Sequence, residues 1–272
     1  MKADLHVHST ASDGTLTPSQ LVDLAVERGL RVLAIADHDS VEGLAEAQAA
    51  ARGTNLTLIP AVELSSVTAD GRDVHILGYY VDPSDPVLLA HLADLRAARL
   101  ARADSMVAAL AEAGFGLSLD DVLALSDGGA VGRSHVARAL VAAGHAQSVS
   151  DAFQRLIGRD GPFYVSKDVR TPSEAIAVIR GSGGIAVVAH PGVSGLEDVV
   201  DGFIDDGLGG IEAYHADHTP EMRAYFADLA ARRGVLVTGG SDFHGLSAPN
   251  PPLGSVDIPE SAIEALLAAR PA

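Results

Sequence analysis

Short apolar runs recur along this chain, and nearly every one gives way to a loop at a histidine or a carboxylate. The first lies around Asp4-Leu5-His6-Val7-His8-Ser9. Val32-Leu33-Ala34-Ile35-Ala36 runs into Asp37, Leu56 to Val62 into Glu63, and Ile185 to Ala189 into His190. Val74 to Val81 is a further run, Ile211 to Tyr214 precedes His215, and Val235 to Thr238 precedes Asp242-Phe243-His244. Near-continuous apolar runs this short suit strands buried on both faces, as in a parallel sheet covered by helices. Helix starts stand between them. Thr17-Pro18-Ser19-Gln20 and Thr171-Pro172-Ser173-Glu174 each put a capping Thr before a Pro, with a capping-box partner three residues on. Strand–helix alternation, with chemistry-bearing residues at the C-terminal ends of several strands, favours a (β/α) barrel over a doubly wound sheet. Gly181-Ser182-Gly183-Gly184 precedes a strand instead of joining a strand to a helix, so it reads as a turn and not as a dinucleotide site.

The pattern changes from about Pro83 to Arg170. Leu88 to Ala113 is a long helical stretch; Ser118 to Leu125, Gly132 to Ala143 and Ser150 to Ile157 read as shorter helices. The expected organisation is a barrel over 1–82 and 171–272, interrupted by an all-helical, substrate-covering insertion over 83–170. At 272 residues this is one domain carrying an insert. No uninterrupted apolar run approaches ~18 residues, the lower limit for a spanning helix, and no secretory signal opens the chain, so a cytoplasmic protein with no membrane association is expected.

The chain has no cysteine, so a metal would have to be held by His, Asp and Glu. Its net charge of −17 argues against broad binding to nucleic acid, which neutralises phosphates with Lys and Arg. It does not exclude a small anion, because bound cations can reverse the local field. His6 and His8 sit two apart on a strand and so point the same way; alone they could be ordinary strand histidines. Glu63 ends a wholly apolar run, where a buried carboxylate needs a metal or an arginine. His190 ends a buried strand, where a hydrogen-bonded core histidine is the plain alternative. Asp242 and His244 lie among Gly239, Gly240 and Gly245, which suit tight backbone geometry. Asp13 follows in the loop after the first strand. His75 lies near the start of its strand, not its end, which an antiparallel or distorted strand would explain. Asp37 and Asp39 flank His38; one could orient its ring, and Asp39 could instead cap the next helix.

Taken together, Asp4-Leu5-His6-Val7-His8-Ser9, Ala36-Asp37-His38-Asp39, Glu63, Asp73-Val74-His75, Ala189-His190-Pro191 and Ser241-Asp242-Phe243-His244 resemble the motifs of the PHP (polymerase and histidinol phosphatase) phosphoesterases, in that family's order. The resemblance implies a distorted seven-stranded (β/α) barrel with three divalent ions, Mn foremost, with Zn, Fe or Mg as alternatives. His6, His8, Glu63 and Asp242 would hold the first ion. Glu63 would bridge to a second, held also by His75 and His190, and Asp13, His38 and His244 would hold the third. Glu63, His190, Asp242 and His244 would carry the chemistry, a metal-assisted hydrolysis of a phosphomonoester.

Gly132-Arg133-Ser134-His135-Val136-Ala137-Arg138 and Tyr164-Val165-Ser166-Lys167 resemble a branch of the family that removes the 3′-phosphate from nucleoside 3′,5′-bisphosphates. Where that branch often has Pro, this chain has Ser134 and Ser166. Arg133, His135 and Lys167 would then meet substrate, Arg133 being suited to a bidentate phosphate contact; as residues alone they could be solvated surface charges. His215 and His218 would face the site, or cap the next helix. The partners implied are a small phosphorylated nucleotide or short oligonucleotides, and no feature points to a dedicated protein partner. Alternatives within the family are a 5′→3′ exonuclease on short RNA or DNA and a histidinol-phosphate-type phosphatase. Amidohydrolases also open with His-x-His, but many need a strand lysine, and Lys2 and Lys167 do not fit that place. A non-catalytic metal-binding module is a further class, against which the complete set of ligand residues argues.

Overall fold

A computed structural model describes residues 1–126, 128–166, 170–246 and 251–271. The chain enters strand β1 (Ala3–Val7) at once, followed by α1 (Pro18–Glu27), β2 (Val32–Ile35), α2 (Leu44–Ala51), β3 (Thr57–Val67) and β4 (Asp73–Tyr79). After a long helical passage come α7 (Pro172–Gly181), β5 (Ile185–Val188), α8 (Val200–Asp205), β6 (Gly210–His215), α9 (Pro220–Arg233), β7 (Leu236–Gly240) and α10 (Glu260–Ala268). The helical passage holds α3 (Pro86–Glu112), α4 (Leu119–Leu123), α5 (Arg133–Ala142) and α6 (Val149–Ala152), the last running into a π-helical turn, Phe153–Ile157. Both expected capping boxes form, Thr17 with Gln20 and Thr171 with Glu174.

The seven strands form one sheet in chain order. The His8 N–H donates to the Phe243 carbonyl and the Asp242 N–H to the His6 carbonyl, both at 2.9 Å, which brings the chain after β7 back onto β1. The sheet is thus a nearly closed seven-stranded α/β barrel, the fold the motifs imply. A Cβ at Gly240 would stand 2.3 Å from the Cβ of His6, so only glycine permits this approach. β4 alone runs against its neighbours, antiparallel to both β3 and β5. The cause is local: five residues, Thr68 to Arg72, join β3 to β4, with Gly71 at φ 83°. That is enough for a hairpin and far too short for a parallel crossover. The start of β4 therefore lies at the rim where its neighbours end, which explains the position of His75.

α3 carries two apolar segments in succession. Leu88, Leu92 and Leu95 are buried in the core beside β3, β4 and α7. Ala103, Val107 and Leu110 are buried with Val136, Leu140 and Ile157 in a separate helical core. One helix thereby fixes the helical layer against the barrel, by spacings of three and four residues on its buried face.

Buried Asp4 ties the chain after β7 to β1: it accepts the Ser241 N–H at 2.9 Å, the Ser241 hydroxyl at 2.6 Å and the Gly254 N–H at 2.7 Å. Asp4→Ala would leave these donors unmatched in the interior, at a cost of about 3 kcal/mol. The expected result is a melting temperature lower by roughly 6–12 °C, read by calorimetry; a change under 2 °C would contradict this role for Asp4.

Candidate metal centre

Alternation along β1 turns His6 and His8 to one side, with their Nε2 atoms 3.1 Å apart. Glu63, on β3, is fully buried among five imidazoles. Its Oε2 lies 2.9 Å from His38 Nδ1 and 3.3 Å from both His6 Nε2 and His8 Nε2. Its Oε1 lies 2.9 Å from His75 Nδ1 and 3.3 Å from His190 Nε2. Asp242 brings Oδ1 to 3.0 Å from His8 Nε2 and 3.6 Å from His244 Nδ1. Asp13 Oδ1 stands 3.2 Å from His244 Nε2. All nine residues that the motifs nominate as ligands thus converge on one rim of the barrel.

Their spacing suits cations. Three sets bring their ligand atoms within 4.8 Å of one another: His6, His8 and Glu63; His38, Glu63 and His75; and His8, Asp13, His38 and His244. Asp13 Oδ1, His38 Nδ1 and Glu63 Oε2 are buried and make no hydrogen bond, although each has a neighbouring nitrogen or oxygen within 2.9–3.2 Å. Close donor atoms whose lone pairs share no hydrogen are arranged for a common cation. Hard carboxylate and imidazole donors without sulfur fit Mn, Zn, Fe or Mg. Without a cation, charge settles unevenly. Burial, then the charges of His244 and His38, push His8 down to about 3. Burial opposes charge on His244 as well, but the Asp13 and Asp242 carboxylates outweigh it and hold that ring up to about 10. Burial would raise Glu63, yet the imidazoles of His38, His75 and His6 keep it well below the usual carboxylate range. Three non-glycine residues here have left-handed backbone: Asp39 (φ 51°), His190 (φ 31°) and Asp242 (φ 54°). Such strain clusters at sites where function fixes a side chain.

The acids beside His38 serve other ends. Asp37 accepts the Ser9 N–H at 2.7 Å and the Ser9 and Ser12 hydroxyls at 2.6 and 2.7 Å, clamping the loop that carries Asp13. Asp39 pairs with Arg99 and accepts the Ser65 N–H at 2.8 Å. It caps no helix, since Gly43 stands at the start of α2.

The residues nominated for substrate divide. Arg133 opens α5, within 3.3 Å of Asp73 Oδ2, with its cation over the rings of Phe153 and Tyr164. His215 is buried at the edge of the cluster, Nε2 3.8 Å from Asp242 Oδ2, and Nδ1 accepts the Asp217 N–H. It does not cap α9, which Thr219 does. His218 is buried and spends both nitrogens on backbone, Nδ1 donating to the Ala213 carbonyl at 2.9 Å and Nε2 accepting the Gly192 N–H at 3.1 Å. It offers substrate neither nitrogen, and the expectation of a substrate contact gives way to one of loop support. His135 is buried too, and its Nδ1 accepts the Gly132 N–H at the start of α5. Lys167 lies outside the described residues.

The structure adds residues that the sequence reading missed. Arg99 and Arg102, one turn apart on α3, join Arg133 around a cleft of about 130 Å³ bordered by Asp13, His38 and His75. Arg102 donates Nε to the Val165 carbonyl, while its buried Nη2 has no hydrogen bond. Burial, then the charge of Arg133, lowers it to about 10. Buried Glu212 contacts His6 Nδ1. It could have been noticed as the sole carboxylate of the run Ile211 to Tyr214, since a buried carboxylate must be compensated.

A model of the PHP domain matches residues 4–161. A 3′,5′-nucleoside bisphosphate phosphatase of Chromobacterium violaceum is 38% identical over 89% of this chain and 86% of its own. The 5′-3′ exoribonuclease Rnm of Escherichia coli is also 38% identical, over 89% of this chain and 84% of its own. A crystal structure from Bifidobacterium adolescentis, of a protein provisionally assigned as a metal-dependent phosphoesterase, superposes with a TM-score of 0.91 at 38% identity. It covers 99% of this chain and 96% of its own.

Arg99 is the counter-charge of Asp39, whose side chain has no exposure. Arg99→Met should therefore cost about 3–5 kcal/mol of unfolding free energy in urea, the penalty for stranding a buried charge. Adding Asp39→Asn, which tolerates the left-handed backbone and still accepts the Ser65 N–H, should recover part of that loss. A double variant no more stable than the single one would refute the pairing.

Proposed function

The chain belongs to the PHP family and is a metal-dependent hydrolase acting on phosphoesters, and we propose that it removes the 3′-phosphate from nucleoside 3′,5′-bisphosphates. One observation carries this reading: the arginines beside the ligand cluster. A monophosphate needs only the cluster. Arg102, with a buried Nη2 that makes no hydrogen bond, and Arg133, whose cation lies over two rings, suit a second phosphate. The cleft they share, about 130 Å³, opens beside Asp13, His38 and His75.

In this reading His6, His8, Glu63 and Asp242 hold one divalent ion, Glu63, His75 and His190 a second, and Asp13, His38 and His244 a third. His8 and His38 each belong to two of the close sets, as does Glu63, so each could serve either set. Divalent ions held there would lower the pKa of the attacking water and offset the negative charge of the phosphate and the leaving alkoxide. The protein does the rest. Glu63 and Asp242, held ionised inside the site, accept hydrogen bonds from the attacking water and orient it; its proton passes to solvent, and the leaving alkoxide takes one from solvent. His215 accepts a backbone N–H at Nδ1, so its hydrogen is on Nε2, aimed toward Asp242 and available to a phosphate oxygen. Arg133 and Arg102 hold the 5′-phosphate and so select a substrate with two. A second reading, stepwise 5′→3′ cleavage of short RNA, is favoured by the equal likeness to the Escherichia coli exoribonuclease.

The deciding experiment offers the Mn-supplied protein adenosine 3′,5′-bisphosphate and a short 5′-phosphorylated RNA in parallel. Orthophosphate and 5′-AMP, with the RNA intact, are expected; mononucleotides released stepwise from RNA, with the bisphosphate left uncleaved, would overturn the proposal. His190→Ala should abolish turnover and loosen bound metal, and chelation should silence the wild type until Mn is returned. Arg133→Ala should raise KM for the bisphosphate roughly 10–100-fold, the value of a hydrogen bond to a charged group or two, with kcat largely kept. An unchanged KM would remove Arg133 from substrate binding.

A further inference from the structure

Glu212 of β6 is a carboxylate with no exposure, and neither the ligand sets nor the arginine cleft uses it. Both of its oxygens meet His6 Nδ1, Oε1 at 3.0 Å and Oε2 at 3.2 Å. Oε2 also accepts the His190 backbone N–H at 2.8 Å. One side chain thus reaches two proposed ligands, on β1 and after β5, from the strand that lies between β5 and β7.

Each contact has a geometric consequence. An ionised carboxylate only accepts, so the hydrogen between it and His6 belongs to Nδ1. Nε2 is left as the nitrogen that faces Glu63 Oε2 at 3.3 Å and Asp242 Oδ1 at 3.5 Å. His190 has φ 31°, a conformation that non-glycine residues avoid. The bond from its N–H to Glu212 holds that peptide in place, and from there the ring brings Nε2 to 3.3 Å from Glu63 Oε1. The two imidazoles meet opposite oxygens of the same carboxylate, and Glu212 sits behind both.

We propose that Glu212 is a positioning residue for metal binding. It sets the tautomer of His6 and locks the backbone of His190, so that the two rings flanking Glu63 are in place before a cation arrives. The inference rests on the metal-binding reading above, and its test separates the two. Metal-loaded wild type, Glu212→Gln, Glu212→Met and His8→Ala are dialysed against graded EDTA, and retained metal is measured by mass spectrometry. The melting temperature of each loaded protein is recorded alongside.

Glu212→Gln keeps the shape and one acceptor, whereas Glu212→Met keeps the volume and neither. Both should release metal at 10–100-fold lower chelator activity than wild type, the usual effect of removing an outer partner, with the larger effect in Met. Glu212→Gln, being isosteric, decides the matter if Glu212→Met does not fold. Wild-type retention in the Glu212 variants, with loss in His8→Ala, would overturn the role of Glu212 and leave the metal site standing. A lowered melting temperature with wild-type retention would likewise overturn it, by making Glu212 a clamp of the fold alone. Wild-type retention in His8→Ala would instead overturn the metal-binding reading.

Discussion

A carboxylate buried among five imidazoles is stable only if positive charge is shared across it. Glu63 is in that position, and much of the barrel's rim follows from it. β1 must end with two histidines on one face. β4 must run backwards so that His75 meets the same carboxylate from the other side. His190 and Asp242 must accept left-handed backbone to reach the centre. Such strain is of order 1–3 kcal/mol per residue, and it persists because hydrogen bonds beside it leave the chain no easier path. Asp4 and Asp37 supply several of them, each accepting three close hydrogen bonds from loops next to the ligands.

Several of the polar contacts that join the helical layer to this rim fall beside the candidate ligands. The Ser134 hydroxyl donates to Asp13 at 2.6 Å. Arg99 pairs with Asp39, next to His38, and Arg133 meets Asp73, two residues before His75. Apolar packing of Leu88, Leu92 and Leu95 fixes where α3 lies; the polar contacts fix where its arginines point. A chain of net charge −17 thereby gathers three arginines, Arg99, Arg102 and Arg133, around the cleft beside the candidate ligands. Long-range repulsion of an anionic substrate is weak beyond ~8–10 Å at ordinary ionic strength, so the local arrangement decides.

Much of the barrel was legible because burial on two faces writes a strand as a plain apolar run, and because Thr-Pro-x-Gln or Thr-Pro-x-Glu marks a helix start. The candidate ligand residues stood out because most of them end such runs. Glu212 escaped notice for the opposite reason: it lies inside a run, where one letter among apolar ones says nothing of its partner. Arg99 and Arg102 escaped because arginines on a long helix read as a solvated face. His218 was misread because a histidine after a strand looks the same whether its nitrogens face a cleft or a carbonyl. His75 was the informative exception, since its place at the start of a run called for an antiparallel or distorted strand, and the hairpin supplied the first.

By itself the sequence determined the strand–helix alternation, the absence of thiolate chemistry and the residue types gathered at the strand ends. These depend on local periodicity and on side-chain chemistry, which a linear string records. Only the tertiary structure decided which groups meet. His6 and Glu212 are 206 residues apart in the chain and 3.0 Å apart in space, and Arg99 finds Asp39 across 60 residues. Pairings of that kind are set by barrel closure and by the seat of α3, both products of packing over the whole chain. Local signals carry no register for them.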